Sequence, residues 1–186
     1  MDSISNKKDF DDLTRNLRDL AYTYIEKYNP SKQQIKTYLL KKYLRKFQGT
    51  KVKKEITQII ENIVVNLEKN NFLNDSLYSD SKARSLLRRG YSLNKISNSL
   101  RSKGIDNNNI KLSLEKIKND KPDPDFNSAM KICKKRRIGP MRTESNRPLF
   151  YKKDMGILAR SGFDFETSKK VIDIDKDEYL KIINLL

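Results

Sequence analysis

The sequence predicts an all-α protein, built of tandem three-helix repeats stacked into an elongated, curved, right-handed solenoid. Three observations carry that prediction. Across most of the 186 residues, apolar side chains recur at steps of three and four, the period of a helix with one buried face. Two-residue alternation rich in Val, Thr or Ile is hard to find, and the six glycines and five prolines fall mostly at joints between periodic segments. A repeat is also present: Ser31, Ile35 and Leu39 return as Ser92, Ile96 and Leu100 at identical spacing.

In chain order, Phe10, Leu13, Leu17, Leu20, Ala21, Tyr24 and Tyr28 form one apolar stripe on a helix ending near Asn29-Pro30. Pro30 is then expected in the first turn of the next helix, where its missing N–H is harmless. Ile35, Tyr38 and Leu39 continue the pattern. After a polar break at Gln48-Gly49 it resumes as Val52, Ile56, Ile59, Ile60, Ile63 and Leu67. In the second copy Asp75 and Ser92 are candidate N-caps, and Gly104 is expected to take the left-handed conformation that closes a helix. Ile105, Ile110, Leu114 and Ile117 follow. The third copy is looser: Leu158, Gly162-Phe163 and Ile172 stand for Leu100, Gly104-Ile105 and Leu114, with Asp164 as a further cap. The modules are therefore residues 1–73, which include an N-terminal helix, 74–120, and 121–186, which include a C-terminal tail. KNDKPDPDF, Lys118 to Phe126, reads as a hinge because no helix runs through its two prolines. GPMRTESNRP, Gly139 to Pro148, reads as polar, interrupted and mobile. The apolar YLKIINLL of the tail reads as an extra capping helix.

Charge narrows the function. Forty Lys and Arg against 24 Asp and Glu leave a formal charge of +16, a field that attracts polyanions such as nucleic acid or acidic protein surface. There is no histidine and one cysteine, Cys133, so His-based acid–base work, His-ligated zinc and Cys–His nucleophilic pairs are excluded. No phosphate-cradling glycine motif occurs. A carboxylate-only metal nuclease, with Asp75 and Asp80 or with Asp120, Asp123 and Asp125 as ligands, is disfavoured because the first pair reads as caps and the second set lies at the hinge. Neither enzyme activity, metal nor cofactor is expected. Cys133 lies on an apolar stripe with Phe126, Ala129 and Met130 and reads as a small buried hydrophobe. MDSISNKKDFDD lacks the apolar stretch of a secretory signal, and the most apolar run, Ile59 to Leu67, falls short of the roughly 20 residues that a membrane helix requires. A reducing, cytosolic setting is expected.

The order of elements resembles the bacterial RecX family. FLNDSLYSDSKARSLLRRGYSLNKISNSLRSKGI is similar to that family's central signature, and CKKRRIGPMR with KKDMGILARSGFDFETSKKVI to its carboxy-terminal block. NPSKQQIKTYLLKKYLRKF, followed by a long helix ending in LEKNNFLND, resembles the opening repeat, so the likeness spans about residues 17–174. The resemblance implies a regulator, mainly an inhibitor, of the RecA recombinase in recombination, DNA repair and the SOS response. Such a regulator lies along the groove of the RecA filament on single-stranded DNA and dampens ATP hydrolysis, strand exchange and co-protease action. It also implies a monomer that binds single-stranded DNA only weakly, and salt-sensitively, by itself.

The candidate filament and DNA contacts are the basic residues Arg84, Arg88, Arg89, Lys95, Arg101, Lys103, Lys134, Lys135, Arg136, Arg137 and Arg142. Lys82 and the first-module residues Lys41, Lys42, Arg45, Lys46, Lys51, Lys53 and Lys54 extend the set. Singly, each reads as part of a solvated helix face. Collectively they exceed what solubility requires, since mixed signs would serve equally. Of the interleaved rings Tyr38, Tyr43, Phe47, Tyr91, Phe150 and Tyr151, base stacking is one use; Tyr38 on its stripe, and Tyr91 and Tyr151 beside turns, read as packing. The competing reading is a basic helical-repeat protein that binds nucleic acid without a recombinase.

Overall fold

Among the described residues, periodic burial is realised mostly as helix. The computed structural model describes residues 7–44, 50–120 and 122–186. Among them lie ten α-helices and two 3-10 turns, with no strand. The helices are α1 (Lys7–Tyr28), α2 (Lys32–Leu44), α3 (Thr50–Lys69), α4 (Asp75–Arg88), α5 (Leu93–Arg101), α6 (Asn107–Asp120), α7 (Pro124–Arg136), α8 (Arg147–Arg160), α9 (Phe165–Asp173) and α10 (Lys176–Ile183). The all-α prediction holds. Arg45, Lys46, Phe47 and the break at Gln48-Gly49 lie outside the described residues, as does the side chain of Lys51.

The chain packs as two compact units, one holding the residues up to Tyr78 with Lys103–Ile105, the other Ser79–Ser102 with Asp106–Leu186. In the first, Leu17 and Ala21 of α1, Ile35 and Leu39 of α2, and Ile56, Ile60 and Ile63 of α3 form the core. Tyr38 stacks on Tyr24 with ring centroids 4.1 Å apart, so packing claims that ring. In the second, Ala129, Met130 and Cys133 of α7 pack with Leu158, Phe163, Val171 and Ile172. Tyr179 of α10 is fully buried and its hydroxyl donates to the Met130 carbonyl at 2.7 Å, so the tail does form a helix that covers this core.

Helix starts differ from expectation in two places. Pro30 precedes α2 rather than entering it, because Ser31 takes the cap. Its Oγ accepts the Gln34 N–H at 3.2 Å while Gln34 Oε1 accepts the Ser31 N–H at 3.1 Å, a reciprocal capping box. Asp75 does not cap its own helix either. Asn74 Oδ1 accepts the Leu77 N–H at 3.0 Å, and Asp75 Oδ1 instead accepts the Lys32 N–H of α2 at 2.9 Å.

That second departure exposes a device used twice. In the first unit, Ser31 Oγ also donates to the Lys103 carbonyl at 2.7 Å. Next to it Gly104, at φ +76°, lies so close to α2 that a Cβ there would sit 2.3 Å from Gln33 Cβ. In the second unit Ser92 caps α5 by accepting the Lys95 N–H at 3.1 Å, and Asp125 of α7 accepts the Leu93 N–H at 2.7 Å. The Ser92 N–H donates to the Ser161 carbonyl at 3.3 Å, and a Cβ on Gly162, at φ +93°, would sit 2.4 Å from Ser92 Oγ. In both units a serine-capped helix start is gripped by a carboxylate and a glycine corner that come later in the chain.

The segment Gly139 to Pro148, expected to be mobile, is instead built in. Gly139–Met141 and Glu144–Asn146 are 3-10 turns, Gly139 and Pro140 are buried, and two arginines anchor the segment from within. Polarity misled because two of the polar side chains, Arg142 and Arg147, reach inward to partners while Thr143 to Asn146 stay exposed. At Lys118 to Phe126 the helix does break, and α7 restarts with Asp123, left-handed at φ 43°, accepting the Phe126 N–H at 3.1 Å.

Two consequences for stability follow. Gly104→Val should lower the melting temperature, since a left-handed branched residue costs about 1–2 kcal/mol and overlap with Gln33 adds roughly 1–3 kcal/mol. Burial raises the Asp125 carboxyl above its ordinary range, which the Leu93 N–H opposes and the charges of Asp164 and Asp123 reinforce. A raised carboxyl is a stability loss as pH climbs through that folded value. Thermal melts at neutral pH should therefore find Asp125→Asn, which keeps an acceptor without charge, no less stable than the parent, and Asp125→Ala less stable by about 1–2 kcal/mol.

Candidate partner-binding surface

Helix ends decide where the positive charge goes. On α4 the buried face carries Ala83 and Leu86, so Arg84, Arg88 and Arg89 stand exposed on the other side. Arg84 is engaged by Asp120 of α6 at 2.8 Å; Arg88 and Arg89 have no carboxylate partner among the described residues. Gly90, which ends the helix at φ +86°, abuts Ile132 and Ser128 and so brings this pair alongside α7.

On α7 the stripe Ala129, Met130 and Cys133 is buried and Lys134, Lys135, Arg136 and Arg137 are exposed, without carboxylate partners among the described residues. Arg137 itself takes the left-handed position that stops the helix, at φ 54°, and the three cations before it lie in the last turn, where the helix dipole favours them. At about 1.5 Å per residue, Arg136 is roughly 12 Å along α7 from Ser128, and the α4 pair and the α7 run belong to the same unit.

The remaining candidates scatter. Lys95 on α5 is exposed beside the Gly162 corner, and Arg101 is exposed with its guanidinium donating to Asn98 Oδ1 at 2.9 Å. Lys103 belongs to the other compact unit, where its carbonyl serves the Ser31 hydroxyl. Lys41, Lys42, Lys53 and Lys54 are exposed on α2 and α3, and Lys82 is half-buried on α4.

Arg142 has an internal role. Its Nε donates to Asp154 Oδ2 at 2.6 Å and its Nη2 to Oδ1 at 2.8 Å, and the guanidinium lies over the Phe150 ring. Asp154, 1% exposed, also accepts the Gly139 N–H at 2.9 Å. Burial pushes this carboxyl up, but the Arg142 guanidinium and the Gly139 N–H outweigh it and hold it below the usual carboxylate range. Arg147, which no sequence pattern singled out, caps the end of α9 by donating to the carbonyls of Ile172 at 2.7 Å and Ile174 at 2.8 Å. Neither role had a signal in the sequence, since an Arg and an Asp twelve residues apart across two turns share no periodic relation.

The acids weighed as metal ligands are engaged elsewhere. Asp80 binds Ser113 and Lys116, Asp120 pairs with Arg84, Asp123 caps α7, and Asp75 and Asp125 grip α2 and α5. Cys133 is buried, with its thiol pushed up to about 12 by burial and by Asp154, so it is no nucleophile near neutrality. Among the described residues, no helix is long and apolar enough to cross a membrane.

No family model matches the chain. The regulatory protein RecX of Myxococcus xanthus (strain DK1622) is 34% identical over 161 residues, covering 84% of each chain. The chain belongs to the RecX family. It is accordingly a RecX-type regulatory protein, as its motif order implied. The crystal structure of a regulatory protein RecX aligns with a TM-score of 0.58 at 21% identity, over 91% of this chain and 78% of that one, which speaks for a shared all-helical fold.

Removing the Asp154 carboxylate strands both Arg142 and the buried Gly139 N–H. Asp154→Ala should cost roughly 3–5 kcal/mol in denaturant unfolding. Because the folded carboxyl lies below its unfolded value, near 3.9, the stabilisation is full above that pH and lost as pH falls through the folded value. Acid titration of Asp154→Asn should accordingly show a shallower fall in stability below about pH 4 than the parent.

Proposed function

We propose that this RecX-family protein regulates the RecA recombinase, mainly as an inhibitor, by binding the filament that recombinase forms on single-stranded DNA. The observation that supports this best is the exposed row Arg88, Arg89, Lys134, Lys135, Arg136 and Arg137, on one unit and without carboxylate partners among the described residues. Such a row matches the phosphates of a filament and the acidic surface of its protein coat. Lys95 and Arg101 extend the contact along α5. Arg142 is left out because Asp154 holds it, and Arg84 contributes less because Asp120 shares it.

In this reading the modules 1–73, 74–120 and 121–186 engage successive protomers, restraining ATP hydrolysis, strand exchange and co-protease action together. The mode is occupancy rather than chemistry, which suits a chain in which Asp75, Asp80, Asp120, Asp123 and Asp125 serve as caps and ion-pair partners and the thiol is buried. Naked single strands are bound weakly, by phosphate contacts that salt disrupts.

Titrating the protein into the cognate recombinase on single-stranded DNA, at several salt concentrations, tests the reading. Hydrolysis of ATP should fall at protein levels well below one per protomer. If it falls only as free strand becomes saturated, the protein competes for DNA and needs no recombinase. The triple variant Lys134→Glu, Arg136→Glu, Arg137→Glu should keep its helix content by circular dichroism and lose inhibition; unchanged inhibition would remove α7 from the contact.

A further inference from the structure

The region between α8 and α9 holds an open cavity of about 360 Å³. Its walls are apolar, with Met155 and Ala159 from α8, Phe163 from the corner and Phe165 from α9. Protein sites for small apolar groups begin at about this volume, roughly 300 Å³.

Three features of the cavity have no internal explanation. Ser168 lines it and is 1% exposed, yet its hydroxyl is the one buried side-chain polar group without a hydrogen-bond partner among the described residues. A buried hydroxyl left so is destabilising. Gly156 lies inside α8 with ordinary helical backbone, and a Cβ there would meet only Arg160 Nη1, at 3.4 Å. Glycine inside a helix is less favourable than alanine, and here neither conformation nor crowding requires it. Phe165, at the first position of α9, is 64% exposed beside the opening. A missing side chain and an exposed ring thus border one space, with the buried Ser168 in its wall.

The rim is cationic. Lys152 lines the cavity, the Arg160 guanidinium lies against Gly156, and Lys169 is exposed one turn after Phe165 on the same helix face. Of the acids nearby, Asp164 is held below its ordinary range by the Thr167 N–H it caps, and Asp173 is engaged by the Tyr151 hydroxyl.

We propose that this cavity is a docking socket for an apolar side chain, Leu or Phe, carried on an acidic segment of a protein partner. The anchor packs against Met155, Ala159, Phe163 and Phe165, and the partner's carboxylates meet Lys152, Arg160 and Lys169. The socket rests on the recombinase reading only for the partner's identity: it assigns protein contact to α8 and α9, apart from the basic row on α4 and α7.

The test uses the full-length, isotope-labelled protein and a short peptide with Leu-Phe set between runs of Glu. Titration should shift the backbone amide signals around Gly156 and Ser168, while the same anchor between runs of Lys should not. Gly156→Leu, which fills the socket and favours the helix, should abolish those shifts without lowering the melting temperature, and should weaken filament binding about tenfold or more while leaving single-strand binding unchanged. Should Gly156→Leu misfold, Lys152→Glu with Lys169→Glu provides the same readouts by charge alone. No shift in α8 and α9 at saturating peptide overturns the socket, as does a loss of single-strand affinity in Gly156→Leu, which would mean that the cavity takes a nucleobase. Peptide shifts in a protein that ignores the filament would sink the recombinase reading and leave the socket standing.

Discussion

The structure depends on how the first turns of α2 and α5 are satisfied. A helix begins with amide groups that have no partner within it, and here groups of the protein itself supply the partners. Ser31 and Ser92 are both fully buried and cap from within, while a carboxylate and a glycine corner from later in the chain complete the grip. A neutral hydroxyl suits the deepest position, since an anion there would carry a large desolvation penalty. The penalty falls on Asp125 instead, whose carboxyl is raised by its burial. Because the corner backbone comes within contact of the capped turn, glycine is obligatory there for space as much as for its positive φ. Each grip fixes the entry angle of a helix, and with it the direction in which that helix's charged flank points.

Within that frame the surplus of positive charge divides by burial. Arg142 and Arg147 lie within a dozen residues of the Lys134–Arg137 run yet are drawn inward, one onto the Asp154 carboxylate and the other onto the last carbonyls of α9. These bonds convert a polar, glycine- and proline-containing stretch into fixed structure and tie α8 to α9. Among the described residues the run has only the end of α7 to offset it, and the weak negative end of a helix dipole does not satisfy four cations. Charge that the fold does not consume is what remains for a partner. The carboxylates Asp75, Asp80, Asp120, Asp123 and Asp125 are likewise committed to caps and ion pairs, and the Cys133 thiol lies in the core.

The cavity between α8 and α9 belongs to a different economy. Apolar walls, an unsatisfied hydroxyl and a helix glycine each lower stability slightly, and none serves the grips or the core. Local sacrifices of that kind are expected where a surface is shaped for something outside the chain.

Local sequence determined the helices, because the three-and-four spacing of Leu, Ile and Ala is a property of neighbours along the chain. It also determined the left-handed stops at Gly104 and Gly162, the caps at Ser92 and Asp164, and the motif order that marks the RecX family. Only tertiary structure decided which polar group met which helix end. Asp75 read as the cap of its own helix, since a carboxylate at a helix start usually is, yet it faces α2, forty-three positions back. Arg142 read as surface, since isolated arginines usually are, until Asp154 was found buried beneath it. The socket around Gly156 was invisible for the same reason: a glycine in a helical pattern gives no sign of whether its missing side chain leaves open space or a neighbour. Periodicity reports which face is buried, but partners at long separation are chosen by packing, and packing has no period.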